Sequence, residues 1–436
     1  MQTRFTPAQL AADPDLARSE TILRKCVHCG FCTATCPTYL LLGDEADSPR
    51  GRIYMIQNML EKGGPPDAAT VRHVDRCLSC LSCATTCPSG VDYMHLVDQA
   101  RAHIETHHRR PWTDRLFRRL VTGVLTRPRL FSLLLRLAAP FRGMAALAPG
   151  RLQGLIEAVP RRLPARSAAP TASPTPMPRR RVGLMKGCVQ PVLNPGIDDA
   201  AVRLLNRLGV AVLQPDAPAC CGALPHHMGQ TDRAHALARQ QIDLWCGILE
   251  TTPLDAIVVT TSGCGTTLKD YGQMFRNDPV WAERAARVAA LAVDVSEWLD
   301  RNWTDLPLRP EAQGMRVAWQ APCSLQHGQG IRSAPRRLLG CTGATVVEPA
   351  EAHICCGSAG TYSLTQPEIA RKLGARKSAH LEALHADVVV SANIGCMTQI
   401  AARTRTPVVH LVEWLDWATG GPFLPSAGDG NRPPQG

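Results

Sequence analysis

Apolar positions along this chain change their period as the chain proceeds. Before residue 110, IYMIQNML (53–60) and VDYMHLVDQARAHIE (91–105) repeat their apolar residues at helical spacing. Two short amphipathic helices follow. In the first, Leu116, Leu120 and Val124 run with Phe117, Val121 and Leu125, and Arg115, Arg118 and Arg119 fill the places between; Leu130 to Leu137 repeats the character after Pro128. From Pro160 to Pro178 the chain is rich in Pro, Ala and Ser and reads as an extended linker. Beyond it the pattern becomes short β-rich runs alternating with helical stretches. VGLMKGC, VAVLQP and AIVVTTSGC form one set and RVAWQAPC, ATVVEPA and ADVVVSANIGC a second, with helices such as DDAAVRLLNRLG and EIARKLGARKSAHLEALH between them. Strand–helix alternation predicts parallel sheets.

Length and composition narrow the class. The 436 residues allow about three compact units, and 45% hydrophobic residues exclude a largely disordered chain. No stretch approaches the roughly 18 uncharged apolar residues of a membrane span, and the amino terminus has no secretory apolar region. Eighteen cysteines without export imply reduced thiols, and so metal ligands before disulfides. The expected setting is soluble and cytoplasmic. The net charge of +11 is localised: residues 101–181 hold 17 Arg and no Lys against Glu105, Asp114 and Glu157. Either these helices pack on a neighbour and show Arg to water, or they meet anionic lipid headgroups or an acidic partner at the membrane periphery. Nucleic acid is not expected, because no aromatic stacking platform accompanies the charge.

Two cysteine runs carry the sharpest chemistry. Cys26, Cys29, Cys32 and Cys36, followed by Pro37, spell C-x2-C-x2-C-x3-C-P; Cys77, Cys80, Cys83 and Cys87, followed by Pro88, spell it again. Structural zinc takes two separated pairs of ligands, whereas this run is that of a two-cluster ferredoxin. Three thiolates on one tight loop reach three irons of one cube, while the fourth, expected to have entered a helix, points toward the other cube. Cys26, Cys29, Cys32 and Cys87 are therefore assigned to a first [4Fe–4S] cluster, and Cys77, Cys80, Cys83 and Cys36 to a second. Lys25, His28 and Arg76 beside them are either solvated or cationic neighbours that raise a cluster's potential.

The second half repeats itself. Cys188, the pair Cys220-Cys221 before a glycine, and Cys264 recur as Cys323, the pair Cys355-Cys356 before a glycine, and Cys396, at offsets of 135, 135 and 132 residues. Cys188, Cys264, Cys323 and Cys396 follow strands, where open α/β sheets place ligands. All eight are candidates for a further cluster or metal, with buried inert thiols as the plainer alternative. Cys246 and Cys341 read as core residues. His226, His227, His327 and His353 near the thiols read as polar loop residues or proton carriers.

Together CVHCGFCTATCPTYLLLGDEADSPRGRIY, CLSCLSCATTCPSGVDY, LMKGCVQPVLNP, CCGALPHH, SGCGTTLKDY and HICCGSAGTYSL make the chain resemble the iron–sulfur subunits of bacterial glycolate oxidase over about residues 20–418. It is similar, less closely, to subunits of anaerobic glycerol-3-phosphate dehydrogenase and of lactate-utilisation complexes. The resemblance implies a multidomain protein: an α-helical ferredoxin-like domain (1–110) with two [4Fe–4S] clusters, basic helices and linker (111–181), two α/β cysteine-rich CCG domains (182–310 and 311–418) and a flexible tail (419–436). It implies an electron-transfer subunit that serves an FAD-binding partner oxidising glycolate to glyoxylate, and often D-lactate to pyruvate, with a quinone or other membrane acceptor rather than NAD or oxygen. The residues agree on one point: no dinucleotide fingerprint or P-loop is present, so no catalytic residue or substrate site is expected on this chain. Heterodisulfide reductases carry a fifth cysteine in the related domain, and here Thr261 and Asn393 hold those positions. A thiol–disulfide redox subunit is the alternative function, and a scaffold with structural clusters is a third.

Overall fold

The structure, a computed structural model, describes residues 1–141, 159, 180–215 and 220–422. The expected linker (160–178) and nearly all of the expected tail lie outside the described residues. Up to residue 141 every regular element is helical, with main helices at Pro14–Lys25, Pro49–Lys62, Ala68–Asp75 and Tyr93–His107. Local chemistry starts each one. Asp13, Ser48, Asp67 and Asp92 cap the four helices with side-chain oxygens, and Pro14 and Pro49 occupy first positions where no N–H is needed. One apolar core joins Ile53, Ile56 and Leu60 to Val71, Val74, Leu96 and Ile104, and Cys26, Cys77 and Cys83 sit in its wall.

The fourth cysteine of each run departs from expectation, because neither lies within a helix. Cys36 and Cys87 have extended backbones, with φ/ψ of −82/114° and −72/114°. The proline that follows each one disfavours the helical conformation for the residue before it. The basic helices also differ from their pattern. The helix Trp112–Leu125 buries Arg118, Val121 and Thr122, while Leu116 and Leu120 stay exposed. Arg118 goes inward because Asp75 (2.9 Å) and Asp114 (3.0 Å) receive it. No helix among the described residues is long and apolar enough to cross a membrane.

Beyond residue 180 stand two four-stranded parallel sheets of one topology. The first has strands β1 (Arg180–Met185), β2 (Val210–Leu213), β3 (Ala256–Val259) and β4 (Ala292–Asp294) in the order β2-β1-β3-β4. The second has β5 (Arg316–Gln320), β6 (Thr345–Val347), β7 (Val388–Ser391) and β8 (Val408–His410) in the order β6-β5-β7-β8. The central strands β3 and β7 are buried along their whole length, as parallel strands covered on both faces must be.

The two sheets share one core, in which Trp319 and Trp414 are fully buried. Their contact is reciprocal. The helix Gly196–Arg207 packs on Leu411–Ala418, and Val295–Asn302 packs on Ala334–Gly340. Asp300 and Asp416 each lie six residues past the last strand of their own sheet; Asp416 receives two arginines from the other module and Asp300 one. Arg203 and Arg207 reach Asp416 at 2.6 and 2.5 Å, and Arg337 reaches Asp300 at 2.8 Å. The repeat has thus assembled on itself about a local two-fold relation, the arrangement that self-complementary patches produce.

Candidate functional site

Two cavities in the helical part collect the eight cysteines of the two runs. The first is lined by Cys26, Cys29, Cys32 and Cys87, with Cys83 at its inner wall; the second by Cys36, Cys77, Cys80 and Cys83. Each run therefore sends its fourth cysteine across to the other run's cavity. The thiols also act on one another electrostatically, within each cavity and, through Cys83, between the two. Burial first, then Cys87 and Cys29, raise the Cys26 thiol, while burial with Cys26 and Cys87 pushes Cys32 up to about 11. Cys83 is raised by burial, then by Cys77 and Cys36 of its own cavity and by Cys32 of the other. Thiols gathered this closely, half of them buried, are a donor set that a bound cation resolves, and the residues present fit an iron–sulfur cluster in each cavity.

The surroundings of the two cavities differ. Cys29 is exposed, and Val27 and Phe31 beside it are 68% and 62% exposed, so the first cavity stands at the surface. The second is interior. Ser79 N–H and Tyr93 Oη–H donate to Cys77 Sγ at 3.5 and 3.7 Å. Burial opposes ionisation of Cys77, but Arg52 and Arg101 offset it and hold the thiol below its ordinary value. Arg101 also bonds the Cys77 carbonyl (2.6 Å). Of the cationic neighbours read from sequence, Lys25 is exposed, His28 approaches the Met1 sulfur, and Arg76 pairs with Asp47. Arg52, Arg101 and Tyr93, which face the sulfurs, have no local sequence signal.

In each sheet module the four remaining cysteines also come together. Cys188 Sγ lies 3.4 Å from Cys220 Sγ, and contacts continue from Cys220 to Cys221 and from Cys221 to Cys264. The second module repeats the chain from Cys323 through Cys355 and Cys356 to Cys396. The strand order explains this convergence. Cys188 and Cys264 follow β1 and β3, the neighbouring strands between which the winding reverses, and Cys323 and Cys396 follow β5 and β7. Gly222 and Gly357, which follow the pairs, both have φ of 85°; an added Cβ would meet the Ala234 or Ala370 carbonyl oxygen at 2.7 Å. Glycine is therefore required twice over, for conformation and for space. Thr261 and Asn393 have other work. Thr261 donates to Gln190 (2.6 Å), and Asn393 caps its helix by accepting from Gly395 N–H (2.9 Å).

The second module lies against the second cavity. Leu78 and Cys80 share an apolar cluster with Cys323, Cys355 and Tyr362, and Tyr362 Oη–H donates to the Arg76 carbonyl (2.9 Å). The first module meets the helical part through polar contacts. His226 and His227 both lie 3.3 Å from the buried Asp98, whose carboxyl they hold well below the usual range against the cost of burial. These two histidines are thus anchors rather than loose loop residues. His327 lies 2.7 Å from Thr85 Oγ1, and burial lowers it to about 4; burial lowers His353 too. Cys246 is buried as expected, but Cys341 is exposed, because it falls just past the end of the helix Ala334–Gly340.

Comparison with known proteins supplies names for these parts. Residues 22–91 match the 4Fe-4S dicluster domain, and residues 182–269 and 317–401 match the cysteine-rich domain in two copies. The chain is 40% identical to the glycolate oxidase iron-sulfur subunit of Escherichia coli, over 96% of this chain and 99% of that protein. It is 31% identical to the probable glycolate oxidase iron-sulfur subunit of Bacillus subtilis over 91% and 94% of the two chains. It is also 30% identical to lactate utilization protein A of Geobacillus kaustophilus, over 54% of this chain and 98% of that one.

Proposed function

The chain belongs to the family of glycolate oxidase iron–sulfur subunits, and we propose that it carries electrons for a partner that performs the oxidation. The observation behind this reading is the pair of four-thiol cavities with exchanged fourth cysteines. Bound [4Fe–4S] clusters would supply one-electron transfer. This chain's own residues bind them: Cys26, Cys29, Cys32 and Cys87 at the surface, Cys77, Cys80, Cys83 and Cys36 within. The exposed rim of Val27 and Phe31 leaves the outer site open to a partner, which we take to be an FAD-binding subunit oxidising glycolate to glyoxylate, with D-lactate to pyruvate as a related reaction. The domain boundaries at 110, 181, 310 and 418 belong to this reading, as does the absence of a substrate site here.

Oxygen-free purification tests it. The chain alone is expected to oxidise no glycolate with an artificial acceptor, whereas the complex with its flavoprotein is expected to do so and to reduce iron in this chain. Glycolate oxidation by the chain alone at the rate of the complex would overturn the reading. The thiol–disulfide alternative draws on the converging module thiols, the Cys188–Cys220 contact above all, and it requires the isolated chain to reduce disulfides.

We place the subunit on the cytoplasmic face of the membrane, near a quinone or similar acceptor. Trp112, Leu116, Leu120, Leu133, Leu137 and Phe141 are exposed, and Arg115, Arg119, Arg129 and Arg136 stand among them. Apolar side chains flanked by guanidinium groups suit an anionic lipid interface. Residues 142–150, also expected to contribute, lie outside the described residues. Sedimentation with anionic vesicles is expected, and changing the four arginines to glutamine should cut it about tenfold or more at low salt, at about 1 kcal/mol per arginine. Equal sedimentation of the variant would exclude these helices as the contact.

A further inference from the structure

Arg52 is one of the largest fully buried side chains of the protein, 1% exposed, and its ion-pair partner Asp47 is 0% exposed. A buried guanidinium is costly unless each of its donors is used. Nε–H donates to the His73 carbonyl (2.7 Å), and Nη2 donates to Thr38 Oγ1 (3.0 Å) and Asp47 Oδ1 (3.2 Å). Nη1 is directed at Cys36 Sγ, 3.8 Å away. Thr38 Oγ1 also lies near that sulfur, at 3.3 Å, but its own proton goes to the Asp47 carbonyl (2.9 Å). Once Cys36 is a thiolate, the donor left for it is therefore Arg52.

Asp47 receives Arg52 and His73 on one oxygen and Arg76 on the other (2.9 Å), and the Asp44 carboxylate lies within 4.8 Å of Asp47 and His73, so of this group it is the Arg52 guanidinium that is held facing the sulfur. The first cavity has no buried guanidinium of this kind; there the Met1 ammonium bonds the Cys26 carbonyl (2.6 Å) and not a sulfur. Arg50 lines it, but it is partly exposed and bonded to Glu45, where water screens it. The sulfurs of Cys26 and Cys32 receive backbone N–H groups from His28 and Arg50.

We propose that Arg52 is a positioning residue for the second metal centre: locked by Asp47, Thr38 and the His73 carbonyl, it presents a charged N–H to Cys36 Sγ and makes this centre easier to reduce than the first. A positive group hydrogen-bonded to a ligand sulfur stabilises the added electron. The proposal rests on the reading that Cys36, Cys77, Cys80 and Cys83 hold a cluster.

Redox titration of the full chain, purified without oxygen and followed by EPR, tests it. Wild-type iron is measured first: protein holding one cluster or none would overturn the ligand reading itself. Cys77→Ser then identifies the signal of the second centre. In Arg52→Gln that signal is expected to keep its iron and shift to lower potential by about tenfold in the one-electron equilibrium, about 59 mV, while the other signal stays in place. Arg52→Lys, which keeps the charge but loses the fork, should fall between. An unmoved midpoint in Arg52→Gln, or an equal shift of both signals, overturns the proposal. If Arg52→Gln loses the centre, Arg52→Lys decides, and an unmoved midpoint there overturns it equally.

Discussion

Cys87→Ser is expected to remove the cluster built on the other cysteine run. Cys87 lies in the second run, but it lines the cavity of Cys26, Cys29 and Cys32, and it acts electrostatically on Cys26 and Cys32. A serine hydroxyl is a poor substitute for a thiolate toward iron, so the surface centre should be lost while the interior one survives. Iron should fall from about eight to about four atoms per chain. The surviving EPR signal should match that of Cys26→Ser and differ from that of Cys77→Ser. Electron delivery from the partner should stop, because the remaining centre is the interior one. Cys36→Ser should give the converse, sparing the signal of the first run. If Cys87→Ser instead reproduced the spectrum of Cys77→Ser, each run would be holding its own cluster and the exchange would be wrong.

Some of this architecture could be read from the sequence for a physical reason. Cluster ligation demands fixed spacing, so Cys26 to Cys36 and Cys77 to Cys87 announce themselves, and a tandem repeat shows its cysteines at nearly constant offset. The long helices Pro49–Lys62 and Tyr93–His107 were equally plain from their apolar period. The fourth strand of each module was not. Ala292–Asp294 and Val408–His410 have three residues each and run directly into helices, too short for any period to register. Arg52 reads locally as one more polar helix residue, and only Thr38, Asp47 and His73, brought in by the fold, explain its burial. His226 and His227 read as loop residues or proton carriers for the same reason: Asp98, which receives both, lies in another part of the chain. Cys341 shows the converse error, since an apolar residue type at a helix end carried no information about which way the end faces.

The seam between the helical part and the first module is expected to weaken as pH rises from about 6.5 to about 9. His95 bridges the two parts: Nδ1 lies 2.6 Å from Asp92 Oδ2 on its own helix, and Nε2 lies 2.9 Å from Asp270 Oδ1 of the module. Burial works against the imidazolium, and the nearby Arg18 adds a like charge, but hydrogen bonds to Asp270 and Asp92 more than offset both and raise His95 to about 9. A group raised on folding stabilises the fold fully below its free value, about 6.5, and that contribution disappears as pH climbs through the folded value. His226 on Asp98 is raised as well, so it acts in the same direction. Asp92, lowered to about 2 against burial chiefly by its bond to His95, loses its share only in acid far outside this window. The loss from His95 should be about 2–3 kcal/mol between about pH 6 and about pH 9. Urea unfolding without oxygen, followed by tryptophan fluorescence at the two pH values, would read it as a lower midpoint at the higher pH. His95→Gln should be less stable at the lower pH and should flatten the dependence, and the comparison cancels whatever else titrates in the range. A variant with the same slope as wild type would show that the bridge does not hold the seam.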